Sequence, residues 1–239
     1  MPSSVDFRSV SVEPILHDIN LQIRAGEAVA FVGRSGAGKT TTLRLVNGLA
    51  RPTAGEVLVD DVGLSKTDLI ALRRRTGYII QGSGLFPHRT VYQNVATVPR
   101  LLEWTDAQIR PAAEEIMGKL DLPLARFGDR YPRSLSGGEQ QRVGIARAMI
   151  AKPSILLCDE PFGALDPIVR RDLQDAFRAL RSGVTILFVT HDLAEAMRVA
   201  ERIVLFEGGR TVADSSAATF TKQPLPLVQR LVAAASLPA

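Results

Sequence analysis

Several features are scarce or missing in this sequence, and each absence excludes a class of protein. Only one cysteine, Cys158, occurs in 239 residues, so no disulfide can form within the chain and we expect a reducing compartment. No apolar run approaches the roughly 18 residues that a membrane-spanning helix requires. The N-terminus has no basic segment followed by an apolar one, so we expect no secretory signal. These absences favour a cytosolic protein that reaches a membrane only through a partner.

An excess of charge of one sign is also missing. The formal net charge is +4, from 29 basic and 25 acidic residues, and this excess is too small to argue for a nucleic-acid partner. The hydrophobic fraction of 46% and the charged fraction of 23% are typical of a globular protein. We therefore expect a folded chain that binds no nucleic acid.

Hydrophobic periodicity predicts an α/β fold. Two segments near the N-terminus alternate apolar and polar residues as half-buried strands do, and a third is continuously apolar, as in a strand buried on both faces. Helical periods dominate between about 90 and 150, and a helix at about 168–180 separates two later strands, which predicts parallel strands. After Gly209 we predict a small polar tail with one short helix near 225–235. The predicted strands are 5–10, 19–23, 28–32, 55–59, 77–80, 155–158 and 184–189.

The third strand leads into a glycine-rich loop, GRSGAGKT, at residues 33–40 (the phosphate loop), and then into a helical stretch. This is the complete G-x-x-x-x-G-K-[ST] pattern in the context that it requires. Glycines let successive backbone N–H groups point at phosphate oxygens, and the helix adds the positive end of its dipole. We expect Lys39 to reach the β- and γ-phosphates of ATP and the Thr40 hydroxyl to ligate Mg²⁺. The predicted nucleotide-binding residues here are Gly33, Arg34, Ser35, Gly36, Ala37, Gly38, Lys39, Thr40 and Thr41.

Another apolar strand ends in two carboxylates, Asp159 and Glu160. Side chains at the carboxyl end of a parallel strand face the ligand crevice. We expect Asp159 to hold Mg²⁺, directly or through water, and Glu160 to orient and deprotonate the water that attacks the γ-phosphate. We interpret Cys158 as a small buried hydrophobic residue and not as a reactive thiol.

Two single residues follow other strands of the predicted sheet. His191 comes after the strand at 184–189 and can contact the γ-phosphate. Gln81 comes after the strand at 77–80, where its amide can touch Mg²⁺ and the attacking water. The predicted catalytic residues are therefore Lys39, Gln81, Glu160 and His191, and the predicted metal ligands are Thr40, Gln81 and Asp159.

The stretch LSGGEQQR at 135–142 predicts a second exposed helix N-terminus, the LSGGE turn (135–139). Ser136 and Glu139 have the spacing of a capping box. Capping does not explain the adjacent Gly137 and Gly138, which weaken a helix. Bare backbone at a helix N-terminus suits an anion. Either the helical region folds over its own phosphate loop, or the turn covers the ATP of a second copy in a head-to-tail pair.

These motifs resemble those of an ATP-binding-cassette ATPase in identity and in order. GRSGAGKT, Gln81, LSGGEQQR, ILLCDE, Ala164-Leu165-Asp166 and His191 follow one another as in that family, and the resemblance covers essentially the whole chain. It implies a P-loop NTPase fold with a mixed-sheet core, an antiparallel β subdomain and a helical subdomain inserted at about 90–150. It also implies that Ser136, Gly137 and Gly138 bind the γ-phosphate of ATP on the opposite subunit and that Asp166 communicates between the two sites. We expect a single domain over 1–239, with a short tail at about 210–239.

No membrane span is predicted, so the resemblance implies a stand-alone nucleotide-binding subunit, as in bacterial importers. Its partners would be a second copy of itself or a similar cassette, an integral membrane permease and, indirectly, a solute-binding protein. The expected location is the cytoplasmic face of the inner cell membrane, where the subunit is peripheral.

Two stretches, 77–104 and 161–174, resemble the branch that imports quaternary amines such as glycine betaine, choline, carnitine or proline. The first carries side chains that we expect to be exposed, and the resemblance implies that a cytoplasmic helix of the permease docks there. Ordinary core packing is the alternative. Importers of amino acids, phosphonates or other small solutes remain alternatives, as do a DNA-repair or ribosome-acting ATPase and a regulatory subunit that does not hydrolyse ATP. The side chains expected to be exposed are Leu85, Phe86, Pro87 and Trp104.

The sequence departs from the family in two places. The aromatic residue that usually stacks on adenine between the first two strands is missing from Ser11–Leu16, where Val12 is left to give apolar contact. We therefore expect modest discrimination between ATP and GTP. Residues 1–239 also leave no room for the paired-repeat regulatory domain of many osmoprotectant cassettes, so we expect osmotic sensing to lie elsewhere.

Overall fold

The structure is a computed structural model that describes residues 1–163, 165–181 and 183–235. Ala164 of the predicted loop motif and residues 236–239 of the predicted tail lie outside this range. The chain divides into two compact units. The first is Met1–Leu69 with Thr185–Ala239, and the second is Ile70–Val184.

An antiparallel sheet forms the N-terminal part of the first unit, with strand order β2-β1-β4-β5. Along β2, apolar residues are buried at alternate positions in its second half, as expected of a sheet with one covered face. The alternation that predicted the first two strands is therefore confirmed. These strands are β1 (Val5–Val12), β2 (Leu16–Ile23), β4 (Ala54–Val59) and β5 (Val62–Gly63).

A mixed sheet forms the rest of the first unit. Its central strand, β3, pairs in parallel with β8 on one side and with β9 on the other, and β10 pairs antiparallel with β9. Every residue of β3 and β8 is buried, as the continuous apolar runs predicted. The strands are β3 (Ala28–Gly33), β8 (Thr185–Thr190), β9 (Arg202–Glu207) and β10 (Arg210–Ser216).

The C-terminal part of the chain has more regular structure than the sequence analysis predicted. Residues 210–216 form β10 instead of a polar tail. The turn that joins β9 to β10 consists of Gly208 and Gly209, which have positive φ angles of 54° and 76°. The predicted helix near 225–235 is present as α11. Helices of this unit are α1 (Lys39–Val46), α9 (Leu193–Val199), α10 (Ala217–Phe220) and α11 (Pro226–Ala234).

The second unit is mostly helical. Between 90 and 150 the structure has five α-helices and no strand, which confirms the predicted helical stretch. Two parallel strands, β6 and β7, pair with Ile79 opposite Cys158. Its strands are β6 (Thr76–Ile79) and β7 (Ile155–Asp159). Its helices are α3 (Val91–Val95), α4 (Thr97–Leu101), α5 (Asp106–Gly118), α6 (Leu124–Phe127), α7 (Gly137–Met149) and α8 (Pro167–Leu180), and α2 (Leu69–Arg74) begins at the boundary.

Aromatic side chains fill the core of each unit. In the second unit, the rings of Phe162 and Phe177 meet edge to face with centroids 5.5 Å apart. Cys158 is fully buried, and this burial raises the pKa of its thiol, which agrees with the predicted inert role. Within the described residues, no helix combines the length and apolar character that crossing a membrane requires.

Candidate functional site

The phosphate loop connects β3 to α1, and its path requires glycine at several positions. A Cβ on Gly33 would overlap a backbone carbonyl of β9, and a Cβ on Gly38 would overlap a leucine side chain of β2. Gly36 and Gly38 also have φ angles of 80° and 97°, which L-residues rarely adopt. The loop can therefore turn tightly into α1 only with these residues.

Lys39 is the buried cation of this loop. Its side chain is only 6% exposed, and its ammonium donates hydrogen bonds to the carbonyl oxygens of Gly33 at 2.7 Å and Arg34 at 2.8 Å. The lysine therefore reaches from the end of the loop back to its beginning. A phosphate would offer the ammonium a charged acceptor in place of carbonyls, and charge-assisted hydrogen bonds are the stronger kind.

Three successive threonines at the start of α1 have different environments. Thr42 is buried, and its hydroxyl donates to the carbonyl oxygen of Gly38 at 3.1 Å, so it stabilises the helix itself. Thr40 and Thr41, the two predicted ligand-binding threonines, are half-buried at the mouth of the loop.

His191 lies at the same edge of the mixed sheet as the phosphate loop. Thr190 pairs with Val32 in the parallel register, so His191 and Gly33 are the next residues on adjacent strands. Asp192 caps α9 by accepting two backbone N–H bonds, at 2.9 and 3.2 Å. This cap fixes the backbone next to His191, whose side chain is exposed.

Asp159 is the last residue of β7 and Glu160 follows it, so the two carboxylates lie at the end of the strand as predicted. Asp159 is 6% exposed, and Glu160 is half-buried with a φ of 48°, a conformation that stores strain in a non-glycine residue. Since Ile79 pairs with Cys158, Gln81 and Glu160 each lie two residues beyond that pair. The Gln81 amide nitrogen donates to a Glu160 carboxylate oxygen at 3.2 Å. Two residues predicted to act on the same water are therefore in direct contact.

Gln141 is a residue that the sequence analysis missed. It is 5% exposed within α7, and its side-chain amide donates to the carbonyl oxygen of Pro161, the residue directly after Glu160. Because a buried amide requires a partner, this bond fixes the backbone on which the carboxylate sits. Its position within LSGGEQQR was the only signal in the sequence.

The LSGGE turn forms the predicted capping box. The Ser136 N–H donates to the Glu139 carboxylate at 2.7 Å, and the Glu139 N–H donates to the Ser136 hydroxyl at 3.3 Å. A Cβ on Gly138 would come within 2.7 Å of a Val169 methyl group, whereas a Cβ on Gly137 would meet nothing within 4 Å. The fold therefore excludes a side chain at Gly138 but leaves space at Gly137.

A cavity of about 560 Å³ in the second unit opens beside this turn. Its wall brings Ser136 and Gly138 together with Asp166 and with two arginines, Arg126 and Arg142. Asp166 is also the N-cap of α8, where its carboxylate accepts two backbone N–H bonds at 3.1 and 3.2 Å. The volume lies within the range of ligand sites, so it can receive more than one phosphate group.

The predicted metal ligands have the right chemistry for Mg²⁺. Thr40, Gln81 and Asp159 supply hydroxyl, amide and carboxylate oxygens, which this hard cation prefers. In the part of the chain that the structure describes, no three or more His, Cys, Asp or Glu residues converge. This donor set fits an ion that arrives with ATP and completes its shell with phosphate oxygens and water.

Two polar side chains, the buried Asn94 and the half-buried Arg147, shape the segment after Gln81. Asn94 is fully buried and accepts the Phe86 N–H at 2.8 Å, while its own amide donates to the Phe86 carbonyl at 3.1 Å. Arg147 donates to the Gly84 carbonyl at 2.7 Å, and burial lowers the pKa of its guanidinium. The Arg89 guanidinium lies 4.8 Å from the Phe86 ring centre. The segment therefore has a fixed backbone.

The exposure expected in this segment is only partly observed. Phe86 is 39% exposed and Pro87 is exposed, as predicted. Leu85 and Trp104 are half-buried, so the prediction that they are exposed was wrong. A cavity of about 410 Å³ lies beside Phe86 and Ile80 within the second unit.

Comparison with known proteins gives consistent matches. A family model described as ABC transporter matches residues 16–163. The choline transport ATP-binding protein OpuBA of Bacillus subtilis is 46% identical over 199 residues, covering 82% of this chain and 52% of the relative. The carnitine transport ATP-binding protein OpuCA of Listeria monocytogenes is 47% identical over 199 residues, covering 82% and 50%. The chain thus spans about half the length of these two relatives.

Two further matches cover more of their own length. The glycine betaine uptake system ATP-binding protein YehX of Escherichia coli is 42% identical over 226 residues, covering 92% of this chain and 73% of the relative. Dimeric structures of the ATP-binding cassette MJ0796, one in a post-hydrolysis state bound to ADP and phosphate, superpose with a TM-score of 0.79 at 32% identity. The superposed region covers 89% of this chain and 98% of the MJ0796 chain. The chain belongs to the ABC transporter family and has the fold of its ATP-binding cassette, as its motifs predicted.

Proposed function

We propose that the chain is the ATP-hydrolysing subunit of an importer and that the solute is a quaternary-amine osmoprotectant such as glycine betaine, choline or proline. The observation that carries the hydrolytic part is the hydrogen bond between the Gln81 amide and the Glu160 carboxylate. This bond engages one carboxylate oxygen of Glu160. The amide and the carboxylate can therefore contact the same water molecule, which the amide positions and the carboxylate deprotonates.

Binding of ATP depends in this proposal on the phosphate loop. Lys39 exchanges its carbonyl partners for β- and γ-phosphate oxygens, and the loop amides from 33 to 38 donate to the same oxygens. Thr40, Asp159 and Gln81 would hold Mg²⁺, which neutralises the charge that develops on the phosphates. Arg34, Ser35 and Thr41 border the nucleotide.

Hydrolysis depends on positioning and on a general base. Glu160 accepts the proton of the attacking water, and a positioned base typically contributes about 10²–10⁴-fold to the rate. His191 donates to the γ-phosphate and holds it in line with that water. The strained backbone of Glu160 and the bond from Gln141 to Pro161 keep the carboxylate in one orientation.

A second copy, or a similar cassette, completes the site in this proposal. The γ-phosphate of its ATP enters the cavity beside the LSGGE turn, where Ser136, Gly137 and Gly138 present a hydroxyl and backbone amides. Gly137 leaves the space that the phosphate needs. Asp166 lies in the wall of the same cavity and can sense whether it is filled. The dimeric MJ0796 structures motivate this arrangement but concern another protein.

The permease would dock on the segment from Gly84 to Trp104. Phe86 stands partly exposed on a backbone that Asn94 and Arg147 hold in place. An aromatic side chain held rigidly beside an apolar cavity is a good anchor for an incoming helix, because little entropy is lost when it is covered. This interaction places the subunit on the cytoplasmic face of the cell membrane, where a solute-binding protein is an indirect partner.

The choice of solute rests on what relatives are named for. Choline, carnitine and glycine betaine appear in the names of OpuBA, OpuCA and YehX. A sulfate/thiosulfate import protein, CysA of Mesorhizobium japonicum, is also 45% identical over 204 residues, covering 82% of this chain and 58% of the relative. Import of a different small solute is therefore the second candidate function.

Purification from native membranes tests this proposal. The chain would be isolated with the membrane protein that it holds, placed in lipid, and assayed for ATP hydrolysis with and without glycine betaine, choline, proline or sulfate. Stimulation by a quaternary amine is the expected result. Stimulation by sulfate alone would support the proposed import function but contradict the proposed quaternary-amine solute. Absence of any membrane partner would overturn the importer itself.

A further inference from the structure

The cavity beside the LSGGE turn has an unusual balance of charge for a place that receives an anion. Three carboxylates and two guanidinium groups line its 560 Å³, so the wall carries a formal excess of one negative charge. A phosphate that enters therefore needs a cation that is not already engaged with a carboxylate. The charged residues of the wall are Asp121, Arg126, Glu139, Arg142 and Asp166.

Four of these five groups are engaged within the chain. The Arg142 guanidinium donates to the Asp121 carboxylate at 3.1 Å. The Glu139 carboxylate accepts the Ser136 N–H at 2.7 Å, and Asp166 accepts two backbone N–H bonds at the start of α8. These contacts hold the LSGGE turn and the first turn of α8 in place, so a ligand would have to break them before it could use the same groups.

Arg126 is the remaining charged group of the wall. Its guanidinium lies 5.2 Å from the centre of the Phe127 ring, within the range of a cation–π contact. Among the residues that the structure describes, its side chain forms no hydrogen bond and no ion pair. Phe127 is only 4% exposed, so the ring that supports the guanidinium is itself held in the core.

The backbone that carries Arg126 is fixed on both sides of its helix. At the end of α6 the Gly128 N–H donates to the Leu124 carbonyl at 2.7 Å. The Tyr92 N–H donates to the Gly128 carbonyl at 2.9 Å, which ties this end of α6 to α3. A group that is positioned before its ligand arrives loses less conformational entropy on binding.

We propose that Arg126 binds a phosphate oxygen of the ATP that a second copy holds, beside the phosphate that the LSGGE turn receives. A guanidinium presents its N–H donors in a planar fork that matches phosphate oxygens, and hydrogen bonds between charged groups are the stronger kind. Arg126 would also offset the negative excess of the wall. The inference rests on the proposed pairing of two copies, and it adds a side chain through which each copy contacts the nucleotide of the other.

Arg130 is a matched control for Arg126. Its guanidinium lies 4.8 Å from the centre of the same Phe127 ring, but it does not form part of the cavity wall. Both arginines are exposed. Replacing either one removes a positive charge and a contact with the same ring, so a difference between the two variants reports on the cavity.

Pairing of Glu160→Gln chains in saturating Mg-ATP tests the proposal, with the dissociation constant of the pair measured by light scattering at graded protein concentration. In this background, Arg126→Gln should raise that constant by about 10- to 100-fold, because hydrogen bonds to a charged group are lost. Arg126→Lys should raise it less, because the charge is kept and only the fork is lost. Arg130→Gln should change it by less than about twofold, as expected of an exposed charge.

Two further measurements separate a contact with the other copy's ATP from a change in fold. Calorimetry at protein concentrations where the chain is single should give the same Mg-ATP affinity for every variant, because Arg126 acts on the nucleotide of the partner. Added salt should weaken the pairing of chains that keep Arg126 more steeply than that of Arg126→Gln, because salt screens the contact between charges.

The possible failures can be told apart. Equal dissociation constants for Arg126→Gln and Arg130→Gln pairs would overturn the inference while leaving the pairing intact. A loss of Mg-ATP affinity in the single Arg126→Gln chain would also overturn it, because the effect would then arise within one copy. Glu160→Gln chains that never pair in saturating Mg-ATP would overturn the proposed pairing together with the inference.

Discussion

The phosphate loop and the LSGGE turn both place glycines at the start of a helix, but for different reasons. At Gly33 and Gly38 the rest of the chain occupies the space that a side chain would need. At Gly137, in the first turn of α7, nothing lies within 4 Å of the place that a Cβ would occupy. Glycine in a helix costs about 0.5–1 kcal/mol relative to alanine. The chain therefore shapes the phosphate loop from within, and Gly138 of the LSGGE turn in the same way, whereas Gly137 leaves open space beside the turn.

The largest expected effect concerns Glu160, the carboxylate that we propose as the general base. Glu160→Gln should lower the ATP turnover number by about 10²–10⁴-fold, because an amide cannot accept the proton of the attacking water. ATP affinity should be retained. Steady-state hydrolysis assays measure the first quantity and calorimetry the second. Glu114→Gln, which changes an exposed carboxylate on α5, should keep full activity. A Glu160→Gln protein with a tenth or more of the wild-type rate would exclude Glu160 as the base.

Gly38→Ala tests whether neighbouring residues of the chain exclude a side chain from the phosphate loop. The φ of 97° and the overlap with Leu16 should together lower the free energy of unfolding by about 2–4 kcal/mol. Denaturant titration measures this change. Gly118→Ala is the matched control, because a Cβ on Gly118 meets nothing within 4 Å and should not destabilise the chain. Equal stabilities of the two variants would contradict the steric account of the phosphate loop.

Gly137→Ala tests whether the open space beside Gly137 in the LSGGE turn is needed for ATP hydrolysis. The free energy of unfolding should stay constant or rise by about 0.5–1 kcal/mol, because alanine favours a helix. ATP turnover should nevertheless fall by about tenfold, since the added methyl group would occupy the space that we propose for the phosphate of a second copy. The two quantities are measured on one preparation by denaturant titration and by hydrolysis assay. Undiminished turnover would show that the open space has no role in catalysis.

Phe86→Ser extends the comparison to the docking segment. ATP hydrolysis by the isolated chain should not change. The affinity for the permease should fall about tenfold, because the lost aromatic contact contributes about 1–2 kcal/mol to the binding free energy. Co-purification from membranes at graded protein concentration measures this affinity. Val62→Ser, which also changes an exposed apolar residue, is the control. Equal retention by both variants would place the permease elsewhere.

The smallest expected effect concerns Cys158, a buried residue to which we assign no role in ligand binding. Burial raises the pKa of the Cys158 thiol, so at pH 8 the native protein should carry almost no thiolate at this position. A chromogenic disulfide reagent should react with Cys158 only after denaturation. Rapid reaction of the native protein would mean that the strand which carries Asp159 is open to solvent.

Features that depend on neighbours in sequence could be predicted. The spacing of glycines, lysine and threonine identified the phosphate loop, and the spacing of Ser136 and Glu139 identified a capping box that the structure contains. Alternating and continuous apolar runs located the first three strands. The strand β10 was missed, although the pair Gly208-Gly209 after an apolar run is a recognised hairpin signal.

Features that depend on tertiary packing could not be predicted. The bond between Gln81 and Glu160 joins residues 79 positions apart, and it exists only because β6 and β7 pair in one register. The same holds for Gln141, whose burial follows from the packing of α7 against the residue after Glu160.

Light scattering on Glu160→Gln tests the central claim most directly, because this variant should bind ATP without consuming it. The claim is that two copies close around ATP through the open LSGGE turn. With Mg-ATP the protein should have twice the mass of the chain, without nucleotide it should have the mass of one chain, and adding Gly137→Ala should weaken the pairing. A protein that stays at the mass of one chain while saturated with Mg-ATP would contradict the claim.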